Sequence, residues 1–329
     1  MRQSPAFYSD AMNLAVDNLE DLYGQLSDGR MLPGWNRREP ALWPEPRKAF
    51  EPHHWTYRDA KAGLDAAGRW VSTELAERRN LILTNPSDQG EYSTSRTLVN
   101  AYQMILPGER ARSHRHSPHA GRLVLECNEG AYTIVDGVRI DMRPGDVLLT
   151  PGWCWHGHGN DGDQPAYWLD YLDVPVVHYM EPMFFQPYPG DFQEPEMISR
   201  DSPYVFSWED TQSRLDAAQP DSEGYFGRRV QLGEPALPTI ALYMQRLEAG
   251  GQTEPYQTSA NYHYCVVEGS GSSAIDDREF AWSKGDVFVA PSWCVQRHFA
   301  AERSILFAMT DEPLQAYCGY LRTAKDVSR

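Results

Sequence analysis

The chain repeats itself. Gly145-Asp146-Val147-Leu148-Leu149-Thr150-Pro151-Gly152-Trp153-Cys154 returns as Gly285-Asp286-Val287-Phe288-Val289-Ala290-Pro291-Ser292-Trp293-Cys294. In the same alignment Asp136 falls on Asp276, and Leu125-Glu126 falls on Val267-Glu268 once the second copy's preceding turn is shortened. Self-similarity at this density means two copies of one structural unit. The unit reads as β. From about residue 95, short apolar runs cover 97–106, 111–115, 122–126, 131–135, 138–142, 147–150 and 167–172, and Asp136-Gly137 between two of them is a hairpin signal. Short strands without intervening helices indicate a sandwich or small barrel. A second strand-rich block runs from 239 to about 319.

Outside the copies the texture differs. Residues 4–27 carry apolar side chains at helical spacing after Ser4-Pro5. Residues 28–54 are a loop-like arm, 57–67 and 73–77 read as helices, and 80–84 as a strand closed by Asn85-Pro86. Residues 180–235 are rich in Pro, Tyr and Phe, which suits a linker that packs, with a short helix over 208–217. The predicted division is therefore an N-terminal helical arm and lead-in (1–94), a first β-domain (95–180), a wrapping linker (181–235), a second β-domain (236–323) and a tail (324–329). Composition permits this, since 41% of the 329 residues are hydrophobic. The net charge of −16 argues against nucleic acid or an anionic membrane as partner. No stretch approaches the ~20 apolar residues of a membrane span, and MRQSPAFYSD lacks a signal-peptide pattern. A cytoplasmic protein is expected. Five scattered cysteines without a CxxC pair read as reduced thiols.

The copies diverge where chemistry would sit. His114-Arg115-His116 falls on Tyr256-Gln257-Thr258, and His156 falls on Gln296, whereas His158 keeps a counterpart in His298. Histidines at i and i+2 share a face only on an extended chain. His114 with His116, and His156 with His158, therefore offer convergent imidazoles from two strands. His156 or His158 can complete a set of three. Such donors suit Fe, Zn, Cu or Ni rather than Mg²⁺ or Ca²⁺. Three ligands leave positions open, unlike a closed four-ligand structural zinc. The second copy is predicted to bind no metal. His53, His54, His119, His178 and His263 lack such context and read as structural.

Gly108, five residues, then His114-x-His116 resembles the first cupin motif. Gly145, five residues, Pro151, then His156, three residues and Asn160 resembles the second. The glutamate that often joins the cupin metal set is absent after His116, and Arg122 stands six residues on. With two cupins in tandem and the runs Ala76-Glu77-Arg78-Arg79, Leu106-Pro107-Gly108-Glu109 and Trp168-Leu169-Asp170, the chain is similar to the gentisate 1,2-dioxygenase family from about Trp55 to Leu321. That family also holds salicylate, 5-nitrosalicylate and 1-hydroxy-2-naphthoate dioxygenases.

The resemblance implies a mainly β bicupin: two tandem double-stranded β-helix (jelly-roll) barrels behind an N-terminal helical arm. It implies Fe(II) on His114, His116 and His156, and a substrate carboxylate on Arg122. His158 stands beside the substrate as a binding and proton-transfer residue, Asp170 holds that network, and Arg78, in preference to Arg79, supplies a further arginine. It implies a homo-oligomer, commonly a tetramer, with residues 1–55 reaching neighbouring subunits. The implied reaction opens a 2-hydroxybenzoate-type acid, such as gentisate or a substituted salicylate, between the carboxyl- and hydroxyl-bearing ring carbons with O₂. Arg122 would bind the carboxylate through a charge-assisted fork that lysine cannot copy. Departures fall on the pocket rim: Ser117-Pro118-His119-Ala120-Gly121, the extra residue in Cys127-Asn128-Glu129, and Val99 where the salicylate-cleaving relative carries an aromatic. They leave the ring substituents open, 1-hydroxy-2-naphthoate included. Two other classes compete: a Zn or Mn cupin isomerase or hydrolase, and a non-catalytic binding protein.

Overall fold

The computed structural model describes residues 16–37, 39–88, 92–234, 236–325 and 327. It divides into two compact units, residues 1–47 and 48–329. In the first, a helix spans Leu19–Asp28 and is capped by Asn18, whose side-chain oxygen accepts the amides of Glu20 and Asp21 at 2.8 and 3.0 Å. The part of the expected helix over 4–15 lies outside the described residues.

The second unit is built from four sheets. One six-stranded sheet has the order Val205–Phe206, Val147–Thr150, Ala120–Glu126, Ala166–Leu172, Val99–Ile105, Arg79–Ile82. Its partner has the order Phe185–Pro187, Arg110–His116, His156–Asn160, Ala131–Val135, Val138–Asp141, Met197–Ile198. Their inner faces meet through Ile105, Val124, Ala131, Ile140, Leu148 and Trp168, which closes the first barrel. The second copy repeats this with a six-stranded and a five-stranded sheet closed over Tyr256, Tyr262, Tyr264, Ile275, Trp282 and Phe288. The strands alternate as a barrel wall must. Along Ala166–Leu172, Trp168 points inward, while Leu169 and Tyr171 join a further core with Leu242, Met244, Phe307 and Met309 of the second barrel. The barrels are thus fused through the outer faces of their six-stranded sheets.

The repeat extends further than the sequence comparison reached. Each barrel is preceded by a short strand, a helix and a further strand, and the short strand joins the other barrel. His53–Trp55 pairs with Val287–Ala290, whereas Val205–Phe206 pairs with Val147–Thr150. The helices Tyr57–Gly68 and Trp208–Ala217 follow, capped by Thr56 and Ser207. Here the repeated Gly-Asp pair explains itself. Asp286 accepts the Tyr57 amide at 2.8 Å and Asp146 accepts the Trp208 amide at 3.0 Å. Gly285 and Gly145, both at φ +88°, let the Tyr57 and Trp208 rings come within 2.5 and 2.6 Å of where a Cβ would stand. Each barrel also ends on an aspartate bound by the other: Asp173 accepts the Thr239 hydroxyl and Asp311 the Thr97 hydroxyl, both at 2.6 Å. Helices follow at Val174–Met180 and Glu312–Tyr317, each with proline in its first turn; the sequence reading placed none at either position.

Candidate metal centre and active site

Strand pairing brings the histidines together. Ala111 stands opposite His158 and His114 opposite His156, so three steps on one strand match two on the other. This one-residue bulge at Arg112 and Ser113 turns Ala111 and His114 to the same inner face. The ring centroids of His114 and His116 lie 4.5 and 4.8 Å from that of His156, and one ligand atom from each histidine falls within 4.8 Å of the others. Each Nδ1 faces a backbone carbonyl two residues away: Arg112 at 3.2 Å for His114, Pro118 at 2.9 Å for His116, Cys154 at 3.1 Å for His156. With the proton on Nδ1, Nε2 is left with its lone pair, the usual outer bonding of a metal-ligating imidazole. Burial, followed by the Arg78 and His116 charges, lowers the His114 pKa to about 3. Burial also lowers His116, and places His156 well below its ordinary value. The three imidazoles are neutral, as ligation requires. No other histidine, cysteine or carboxylate among the described residues joins the group, so the donor set fits a divalent transition metal with open positions.

His158 takes a different part. The Thr133 hydroxyl donates to the Gly157 carbonyl at 3.1 Å and lies 2.8 Å from His158 Nδ1. Arg122 Nη1 lies 2.6 Å from Nδ1 and 2.9 Å from Nε2 of the same ring and donates to whichever nitrogen carries the lone pair. Arg122 is 1% exposed. Its Nη2 donates to Thr150 Oγ1 at 3.3 Å, and its Nε stands 3.7 Å from Asp170 Oδ1. Burial lowers the Arg122 pKa, opposed by the Asp170 charge; burial raises that of Asp170, opposed by Arg122. The other Asp170 oxygen accepts from Gln103, whose own oxygen accepts from Arg78 Nε. Arg79 turns away and pairs with Glu109. The structure therefore joins Arg78, Gln103, Asp170, Arg122 and His158 in one chain beside the histidine triad. Arg122 Nε, Asp170 Oδ1 and Trp168 Nε1 are buried without a hydrogen-bond partner, and such orphans mark strain or a ligand's place.

Two neighbours escaped the sequence reading. Gln103 carried a usable signal, a lone polar residue on the inward row of an apolar strand, where it is 3% exposed. Phe185 carried none: its ring reaches 5.1 Å from that of His114 only because the linker folds back as an edge strand, with Phe185 opposite His116. The remaining histidines serve structure. His54 meets Asp286 at 3.2 Å, His119 Nδ1 accepts the Gly152 amide at 2.9 Å, and His263 bonds Asn100 and Ser95. In the second barrel the triad positions hold Tyr256, Thr258 and Gln296. Tyr264 stands where Arg122 does and donates to Gln296 at 2.7 Å. His298 keeps its hydroxyl partner in Ser273 at 2.8 Å.

Comparison with known proteins agrees with this geometry. Residues 101–172 match the cupin domain family. The chain is 32% identical to gentisate 1,2-dioxygenase 1 of Aquipseudomonas alcaligenes, over 93% of its own length and 96% of that protein. The chain belongs to the gentisate 1,2-dioxygenase family. It is an enzyme of that ring-cleaving dioxygenase class. A 5-aminosalicylate 1,2-dioxygenase of a Comamonas species is 31% identical, with 93% and 90% of the two chains covered. The crystal structure of the salicylate 1,2-dioxygenase of Pseudaminobacter salicylatoxidans superimposes with a TM-score of 0.86 at 28% identity, covering 95% of this chain and 99% of that one. The same enzyme has been solved with gentisate. The fold is accordingly a bicupin, and the triad is a buried set able to hold a metal. Among the described residues, no helix is long and apolar enough to cross a membrane.

Proposed function

We propose that the protein is an Fe(II)-dependent dioxygenase that opens a 2-hydroxybenzoate-type acid, gentisate or a substituted salicylate, between the carboxyl- and hydroxyl-bearing ring carbons. His114, His116 and His156 would hold the iron. The observation that carries this reading is a triad of neutral imidazoles, His114 and His156 buried and His116 half-buried, beside a buried arginine that is only partly satisfied. A hard dication would seek oxygen donors; nitrogen donors with open positions suit iron. Bound Fe(II) would supply a Lewis acid that acidifies the ortho hydroxyl and a position for O₂.

The protein's own groups do the rest. Arg122 receives the carboxylate in charge-assisted hydrogen bonds, and Arg78 adds a second positive charge on the same wall. His158, set between Thr133 and Arg122, accepts the hydroxyl proton and later returns it. Asp170 fixes Arg122 directly and Arg78 through Gln103. Trp168 and Phe185 provide apolar wall, which keeps the reacting ring out of bulk water. In this reading residues 95–180 form the catalytic domain and 236–323 a metal-free partner, with 1–94 leading in, 181–235 as linker and 324–329 as tail. A homotetramer with residues 1–55 reaching neighbouring subunits is supported by the exposed Leu32, Trp35, Leu42 and Trp43 of that arm. A cytoplasmic location is supported by five unpaired cysteines.

The test is anaerobic reconstitution with Fe(II), then an oxygen-electrode screen of gentisate, salicylate, 5-substituted salicylates and 1-hydroxy-2-naphthoate. Stoichiometric O₂ uptake with loss of the ring is expected for at least one acid. Turnover by a Zn²⁺- or Mn²⁺-loaded enzyme without O₂ consumption would replace this reading with Lewis-acid isomerisation or hydrolysis.

A further inference from the structure

On the outer face of the sheet that carries the histidines, one side chain ties two strands to the turn that precedes His156–Asn160. Arg115 points away from His114 and His116. Its guanidinium lies 4.4 Å from the ring centroid of Trp153 and 4.4 Å from that of Trp155. From between them, Nε and Nη2 both reach Gln186 Oε1, at 2.9 and 2.6 Å. Gln186 is the middle residue of the edge strand Phe185–Pro187, whose register sets Phe185 opposite His116 and Pro187 opposite His114. The two tryptophans grip the ends of the same segment, Trp153 against Phe184 at 6.1 Å and Trp155 against Tyr188 at 5.0 Å. The stack therefore runs Phe184, Trp153, Arg115, Trp155, Tyr188, and the strand it fastens borders the metal centre.

The second barrel is an internal control. There Gln257 stands for Arg115, Val295 for Trp155, and Ala324 of an added strand for Gln186. Trp293 remains, in the same left-handed turn as Trp153, with φ +64° against +70°. Its amide still donates to Thr258, as that of Trp153 does to His116. The turn thus belongs to the barrel, whereas the clasp accompanies the histidines. A device needed only to fold the barrel would appear in both copies.

We propose that Arg115 is a positioning residue: gripped by Trp153 and Trp155 and forked onto Gln186, it latches the strand Phe185–Pro187 across the mouth of the metal centre. The latch governs how long metal and aromatic acid are retained, not the bond-making step. This rests on the functional reading above only for the identity of the acid.

Hydrogen exchange on the metal-loaded full chain tests it. Two cation–π contacts and a forked hydrogen bond predict that Arg115→Gln speeds exchange of the Phe184, Phe185, Gln186 and Tyr188 amides about tenfold. Exchange in the strand Tyr256–Thr258 should not change. Chelator-driven loss of Fe(II) should accelerate in parallel, and KM should rise with kcat little altered. Arg115→Lys keeps the charge without the planar fork and should behave like glutamine; a lysine variant identical to the parent would overturn the proposal. Gln186→Leu cuts the strand's tie alone and must reproduce the faster exchange at unchanged thermal stability. Unchanged exchange at 184–188, or a uniform rise across the chain, refutes the latch. Exchange and metal retention need no turnover, so a parent chain that holds metal yet opens no ring would refute the function and not the latch.

Discussion

Replacing Arg122 by lysine isolates the carboxylate contact from the metal. Arg122 has three nitrogens placed against three partners, His158, Thr150 and Asp170. A single ammonium reaches one of these at most, while the positive charge beside Asp170 survives. The substrate carboxylate would lose one hydrogen bond of a charge-assisted pair, worth about 1.5–3 kcal/mol, which corresponds to a fall in kcat/KM of roughly 10–150-fold. The iron content should stay at the parental level, because no Arg122 nitrogen faces a ligand histidine's Nδ1. The assay is steady-state O₂ uptake over a range of acid concentrations, with iron measured on the same sample. The loss should shrink for an analogue in which a neutral amide replaces the carboxylate. Kinetics within twofold of the parent would refute the assignment of Arg122. Loss of iron in proportion to activity would refute the separation of the two halves of the site.

Two further outcomes follow from the same geometry. His116→Ala should abolish metal loading and turnover, while Gln296→Ala should leave the metal content unchanged; elemental analysis decides, and equal loss in both would place metal in the second barrel as well. The second outcome concerns His263, whose folded-state pKa burial lowers from 6.5 to about 3. The unfolded chain takes up this proton below about pH 6.5 and the folded chain only near 3, so stability is complete at neutral pH and declines as pH falls through that window. By pH 4.5 the decline reaches about 3 kcal/mol. His263→Gln, which can still bond Asn100 and Ser95, should flatten that part of a urea-denaturation pH profile; an unaltered slope would count against a neutral buried histidine.

The site was legible wherever its chemistry lies in residue types at fixed spacing. His114-x-His116 and His156-x-His158 announced strand faces, and their loss in the second copy separated ligands from framework. What lay outside that reading depends on chain pairs far apart in sequence. The Gly-Asp pair was visible as a repeat, but its purpose was not: Tyr57 and Trp208, the residues it accommodates, open helices whose own match, Asp59 with Leu64-Asp65-Ala66-Ala67 on Asp210 with Leu215-Asp216-Ala217-Ala218, lies outside the register of the barrel repeat. Even the exchange of lead strands between barrels follows from pairings of two or three residues, too short for periodicity to register. In the sequence Arg115 is simply the residue between His114 and His116. Only the pairing of Gln186 with it, from a linker seventy-odd positions away in the sequence, gives the side chain a task. Trp153 and Trp155 alternate with His156 along the chain and face away from the histidines, onto a cation, with Trp153 43% exposed.

The second barrel, which carries none of the triad histidines, has a physical reason to persist beside the first. Along Ala166–Leu172 successive side chains serve different masters: Trp168 and Asp170 face the site, Leu169 and Tyr171 face the second barrel. Tyr171 packs against Phe307 with ring centroids 5.6 Å apart. Asn100 donates to the Asp170 carbonyl at 3.3 Å while its own oxygen is taken by His263, from the second barrel. A strand buried on both faces cannot shift on one side without disturbing the other. The carboxylate that orients Arg122 and, through Gln103, Arg78 is therefore fixed from behind by a barrel that contributes no histidine to the triad. This role demands bulk and shape rather than histidines. Tyr264 and Gln296 satisfy one another at 2.7 Å where the first barrel places Arg122 and His156.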